Sequence, residues 1–297
     1  MTLSILLVAL LLEHYRPLPR LWLERLMLPL QFLAHQLNAG EHRHGRLAWF
    51  AAMLPALLVT SAVHFGLLAL SGWLAWLWNI AVLYASLQLR CQNRVTRNIL
   101  TALLRGQPEV ARQEALQWCD GNMDEREGDT LRIAIENRLA DALRRLFGVI
   151  FWFALLAPLG PVGAVLYRLS HNIAEHWDPD THGAFAHFAH SAVWRIDWLP
   201  AQALALSFAV AGNFEDAMYC WRSQATHNTD SNLGEVLASG TGALGIRLPA
   251  TATLPEFGLG ENATLHDLAG VNSLIWRTLA IWALILLLMA LAHIPAG

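Results

Sequence analysis

Apolar residues in this chain come in long unbroken runs, not in the alternation that marks a half-buried helix or strand. Residues 48–70 (AWFAAMLPALLVTSAVHFGLLAL) carry no formal charge. As a helix they reach about 34 Å, enough for a hydrocarbon core of about 30 Å. Ser71-Gly72 interrupts the run, and residues 73–89 form a second one that stops at Arg90. The pair predicts a transmembrane helical hairpin with Trp73, Trp76 and Trp78 at the far interface, where indole rings favour the lipid–water boundary. Runs over 146–166 and 278–294 predict two further spans. Pro158, Gly160, Pro161 and Gly163 interrupt the former. We read this as a kink, the alternative being unwound backbone that lines a site.

Two segments fit less simply. Residues 2–12 are apolar but reach only about 17 Å as a helix, so they span with help from the semi-polar 14–26 side or stay half-inserted. The start has neither a basic n-region nor a small-residue cleavage site, so it is read as a helix and not as a cleaved signal. Residues 198–212 are apolar, contain Pro200 and follow Asp197. The fold class expected is all-α, a polytopic integral membrane protein of about four or five transmembrane helices in one membrane domain over residues 1–297.

Between the second and third clear runs, residues 90–145 are polar and hold 10 of the 20 Arg. Leu100, Leu103 and Leu104, then Leu131, Ile135, Leu139 and Ala142, recur at three- and four-residue spacing, which predicts a helical loop with a turn over Gly121–Asp129. Together with residues 13–47 this loop carries 15 of the 20 Arg, and both segments flank the hairpin on one side. The positive-inside rule makes that side cytoplasmic.

Composition sharpens this picture. Hydrophobic residues make up 55% and charged residues 14%, against about 25% charged in an average soluble domain. A net charge of −3, with Arg as the sole strong base, argues against a nucleic-acid partner. Cys91, Cys119 and Cys220 are far apart and odd in number, which excludes a disulfide scaffold and a structural zinc site. No GxxxxGK[ST] or HExxH occurs. His171, His176, His182, His187 and His190, with Asp178 and Asp180 among them, form no recognisable ligand set. That stretch is read as an interfacial amphipathic segment, and no metal site is expected.

Several blocks in order resemble one membrane family. Asp129–Glu136, Phe151-Trp152, Gly160–Arg168 and Trp198–Ala201 resemble the CobD/CbiB family, and Gly240–Leu248 looks like its late Gly-rich block. Glu13 and the cluster from Cys119-Asp120 to Asp124–Glu127 look more like the AmpE branch. The resemblance implies a bacterial inner-membrane protein. CobD/CbiB-type members join aminopropanol phosphate to cobyric acid in an ATP-dependent amide bond. Their E-N-x-x-D-G pattern, counted back without gaps from Phe151-Trp152, falls on Ala140, Asp141, Arg144 and Arg145. In the step Y-R-x-x-N-x-x-D, Tyr167 and Arg168 are kept, while His171 stands at the Asn and Ala174 at the Asp.

Five residues are site candidates. Glu136, Asn137 and Asp141 form either a residual polar site at the cytoplasmic mouth of the 146–166 span or a solvated helix face. On that face Arg132 and Arg145 would be partners at four-residue spacing, worth a few tenths of a kcal/mol per pair. Arg168 and Asp197 either snorkel to the interface or pair between helices. The altered acids favour an AmpE-like protein with a regulatory or sensing role and no intact ligase site, its partners being the lipid bilayer and a membrane or cell-wall-associated protein. The alternative is a divergent adenosylcobinamide-phosphate synthase of cobalamin biosynthesis, to which magnesium, ATP and a corrinoid substrate would belong.

Overall fold

The computed structural model describes residues 2–15, 42–87, 89–118, 130–177, 183–228, 230–250 and 255–292. The turn over Gly121–Asp129, together with Asp178, Asp180 and His182, lies outside the described residues. In chain order the helices are α1 (Thr2–Tyr15), α2 (His42–Leu70), α3 (Gly72–Ser86), α4 (Leu89–Leu104), α5 (Pro108–Trp118) and α6 (Thr130–Asp141). A π-helical segment, Ala142–Phe147, leads into α7 (Gly148–Leu155), followed by α8 (Val162–His176), α9 (His187–Ala211), α10 (Phe214–Gln224) and α11 (Ser231–Leu244). Strands β1 (Ile246–Leu248), β2 (Phe257–Gly258) and β3 (Glu261–Asn262) precede α12 (Leu265–Ala292). The chain forms two compact units, Met1–Gln88 with Arg144–Asp197 and Leu89–Leu143 with Trp198–Gly297.

Two helices are long and apolar enough to cross a membrane, Arg43–Leu70 and Leu265–Ala292. At 28 residues each they reach about 42 Å. Only 17% and 22% of their most apolar stretches is buried within the protein, the reverse of what the core helix of a soluble domain shows. Leu58 and Val59 on α2, and Leu284 and Leu288 on α12, point outward.

In the first unit the break after α2 is a helix cap. Ser71 is extended and its hydroxyl accepts the Trp73 N–H, so α3 starts one residue after α2 ends. α1 packs on α3, where the Trp76 indole donates to Ser4 Oγ at 3.2 Å. A core of Trp49 and Met53 from α2, Ile173 from α8, Trp177, and Phe185 fixes the opposite end of α8.

The run over 146–166, expected as one kinked span, folds differently. α7, eight residues or about 12 Å, continues directly from the π-helical segment and ends at Leu155, midway along the run. After a 3₁₀ turn at Ala157–Leu159 the chain doubles back, and α8 packs antiparallel on α7. Two glycines permit this approach. A Cβ on Gly148 would lie 2.2 Å from Tyr167 Oη, and one on Gly163 would lie 1.9 Å from the Trp152 carbonyl oxygen. The second obstacle is backbone and cannot swing aside, so Gly163→Ala is expected to destabilise the protein by about 2–3 kcal/mol. Thermal unfolding in detergent should show this as a clear drop in Tm, whereas Ala164→Gly in the same helix should cost about 1 kcal/mol.

In the second unit β1 is central, with β2 antiparallel and β3 parallel to it. Strands of two or three residues are too short to show period-two alternation, so an all-α reading misses them. α11 packs on α10, and Ser239 Oγ donates to the Ala205 carbonyl of α9 at 2.6 Å. The Trp282 indole of α12 donates to Ser207 Oγ at 2.8 Å. Cys220 is buried, and burial pushes its thiol up to about 11, so it packs as a small hydrophobe. Burial likewise raises the Glu235 carboxyl, against a hydrogen bond from Trp221. A raised carboxyl favours the folded state below its unfolded pKa, and that contribution is lost as pH rises through the folded one. Glu235→Gln should therefore raise Tm modestly at pH 8 and not at pH 4, the effect being small because this side chain is only partly buried.

Candidate functional site

The polar residues of the first unit converge at the open end of the α7–α8 hairpin. Tyr167 and His171 lie four residues apart on α8 and so share one face. Asp197 comes from α9, which Trp152 ties to α7 by donating to the Ile196 carbonyl at 3.1 Å. Tyr167 Oη donates to Asp197 Oδ1 at 2.6 Å, and His171 Nε2 meets the same oxygen at 3.0 Å. The phenol and imidazole rings lie 4.6 Å apart. Tyr167, His171 and Asp197 are 0%, 5% and 2% exposed. A carboxylate so deeply buried needs partners in kind, and these two hydrogen bonds supply them.

Two guanidinium groups complete the surroundings. Arg144, on the π-helical segment, acts electrostatically on both Asp197 and Tyr167, and the buried Arg168 acts on Tyr167. π-helical turns are rare and frequent at functional sites. With two arginines and one carboxylate, the cluster is net positive. Planar guanidinium forks suit carboxylate and phosphate oxygens.

Of the five expected candidates, Arg168 and Asp197 belong to this unit, and Glu136, Asn137 and Asp141 to the other. Asp197 takes Tyr167 and His171 as its hydrogen-bond partners. The sequence marks Tyr167 as a family match, and His171 as a departure and as a member of the histidine-rich stretch; their four-residue spacing on one helix face is the signal that pairs them. In the second unit Glu136 Oε1 accepts Arg132 Nε at 2.8 Å. Arg132 is 1% exposed, and its two remaining nitrogens donate to the carbonyls of Pro249 and Pro255 at the two ends of the β1–β2 connection. Arg138 Nε donates to Asn272 Oδ1 at 2.7 Å, and its charge interacts with Asp141.

The histidines of the 171–190 stretch disperse. His176 Nδ1 lies 2.8 Å from the Asn172 carbonyl and His190 Nε2 3.2 Å from that of Trp177. Among the described residues no three His, Cys, Asp or Glu side chains group as metal ligands.

The family model described as CobD/Cbib protein matches residues 1–275. A cobalamin biosynthesis protein CobD from Stutzerimonas stutzeri is 32% identical over 260 residues, covering 84% of this chain and 82% of its own length. A protein of the same name from Chromobacterium violaceum is 31% identical over 225 residues, 71% of this chain and 70% of its own. No solved structure matches. These relatives overturn the expectation of a regulatory or sensing role without a ligase site, and they support the cobalamin alternative. The expectation rested on an ungapped count anchored at Phe151-Trp152. Anchored one helical turn earlier, at Phe147, the same count begins on Glu136-Asn137 and ends on Ala140-Asp141. Matched over residues 1–275 by that model, and over 84% and 71% of its length by the two relatives, the chain belongs to the CobD/Cbib protein family.

Proposed function

We propose that this protein performs the ATP-dependent amide-forming step of cobalamin assembly, as a multi-pass adenosylcobinamide-phosphate synthase of the bacterial inner membrane. The observation that carries the reading is the 32% identity to a cobalamin biosynthesis protein CobD over 84% of the chain. The exposed apolar faces of α2 and α12 support contact with the bilayer.

The chemistry suits the first-unit cluster. Both the corrinoid carboxylate and the phosphate of the amine substrate are anions, and Arg144 and Arg168 offer guanidinium donors beside Tyr167 and Asp197. Magnesium enters with ATP as part of the substrate, held largely by phosphate oxygens and water.

The full chain in detergent micelles, given cobyric acid, ATP and 1-amino-2-propanol phosphate, is expected to yield the amide with one ADP per bond formed. No amide from protein shown to be folded in the micelles would refute the reading.

A further inference from the structure

Helix α4 follows the apolar α3 in the chain after two residues, Leu87 and Gln88. Its sequence, LRCQNRVTRNILTALL, carries three arginines and no acid. The imbalance extends beyond the helix. Between Glu41 and Glu109 the chain has six Arg and no Asp or Glu, although its net charge is −3.

Helical spacing turns that composition into a face. At about 3.6 residues per turn, Arg90, Arg94, Arg97, Thr101 and Arg105 fall in one stripe. The Arg105 N–H donates to the Thr101 carbonyl at 3.1 Å, which carries the helical turn through Arg105. On the opposite face Thr96, Ile99 and Ala102 are buried, and α4 packs on α5, α6 and α12. Arg97 and Arg105 are exposed, and among the described residues neither pairs with a carboxylate. Leu104, two turns beyond Arg97, shares this side and is exposed as well.

We propose that the arginine stripe of α4 binds the phosphodiester headgroups of anionic phospholipids and seats this unit on the leaflet; the proposal rests on the bilayer contact in the reading above. A merely solvated face interleaves acids with bases at four-residue spacing, as Glu136 and Arg132 do on α6. Arginines alone at that spacing repel one another until anions neutralise them. Guanidinium forks match phosphate oxygens. From Arg90 to Arg105 the stripe runs about 22 Å, a line suited to a row of headgroups and too long to converge on one triphosphate. An exposed leucine beside the arginines fits the same surface, where apolar side chains enter the acyl boundary. Helix α12, on which α4 packs, carries the outward Leu284 and Leu288, so the stripe continues a lipid-facing surface.

The test uses the full chain in neutral dodecylmaltoside micelles, with phosphatidylglycerol or phosphatidylcholine added and Tm followed. Phosphatidylglycerol is expected to raise Tm saturably, and less so at high salt, whereas phosphatidylcholine is not. An arginine near an anionic surface contributes about fivefold in affinity, so the triple variant Arg90→Gln, Arg94→Gln, Arg97→Gln should need about 100-fold more phosphatidylglycerol for half the rise. The same three positions changed to Lys keep the charge and should stay within about fivefold of wild type. Arg112→Gln, on α5 and off the stripe, should match wild type. Equal shifts from both lipids, or a glutamine triple that binds as wild type does, would overturn the proposal. So would an equal rise from ATP or inorganic phosphate without lipid, which would assign the stripe to a soluble anion. The readout needs no amide formation, so a chain that binds phosphatidylglycerol but makes no amide sinks only the ligase reading. A chain that leaves the membrane fraction on alkaline extraction sinks the bilayer contact, and this inference with it.

Discussion

Asp197→Ala is expected to be the most damaging single change in the first unit, costing about 3–5 kcal/mol of stability. The substitution takes a hydrogen-bond partner from two buried groups at once. Tyr167 loses its 2.6 Å acceptor and His171 its 3.0 Å partner, both on one oxygen. It also removes the negative charge on which Arg144 acts. Each buried polar group left unsatisfied costs about 1–3 kcal/mol, and the loss of a counter-charge adds to that. Asp197→Asn keeps the size and one acceptor oxygen, so it should fold with a smaller deficit. An amide carries no charge for Arg144 to act on, so activity should still drop by about 100-fold. Thermal unfolding together with the coupling assay checks both variants. Full activity in Asp197→Asn would show that the carboxylate serves packing alone.

Arg132→Met should be the largest loss in the second unit, about 3 kcal/mol. All three guanidinium nitrogens are engaged, one by Glu136 and two by the carbonyls of Pro249 and Pro255. Methionine fills much of the volume but releases both ends of the β1–β2 connection and removes the Arg132 partner of the Glu136 carboxylate. The connection should become the first site of limited proteolysis. Arg132→Lys tests geometry against charge, because one ammonium cannot reach two carbonyls and a carboxylate as a planar fork does. It should recover less than half of the lost stability. A lysine variant as stable as wild type would mean that charge alone holds this region.

Much of the helical framework could be read from apolar runs. The 48–70 stretch lies within α2, and Ser71-Gly72 marks the cap before α3, because capping is a local matter of side chain and backbone. The antiparallel return of α8 on α7 could not be read in the same way. Gly148 and Gly163 are informative only once Tyr167 and the Trp152 carbonyl stand opposite them, and that is tertiary information. Proline and glycine at 158–163 signalled a break but not its angle. For the site, Arg168 and Asp197 stood out as charges at the ends of apolar runs. The hydrogen bonds joining Asp197 to Tyr167 and His171 span 30 and 26 residues of sequence, a separation no local pattern reports. The functional misreading came from a motif count made without gaps, in which a shift of one helical turn exchanges Glu136 for Ala140.

Complementation tests the central claim most directly: the chain is expressed in a bacterium that lacks its own cobinamide-phosphate synthase, on medium where growth requires newly made cobalamin. The account predicts rescue by the wild-type chain and none by Asp197→Ala. Failure of the wild-type chain, shown to be inserted in the inner membrane, would contradict it.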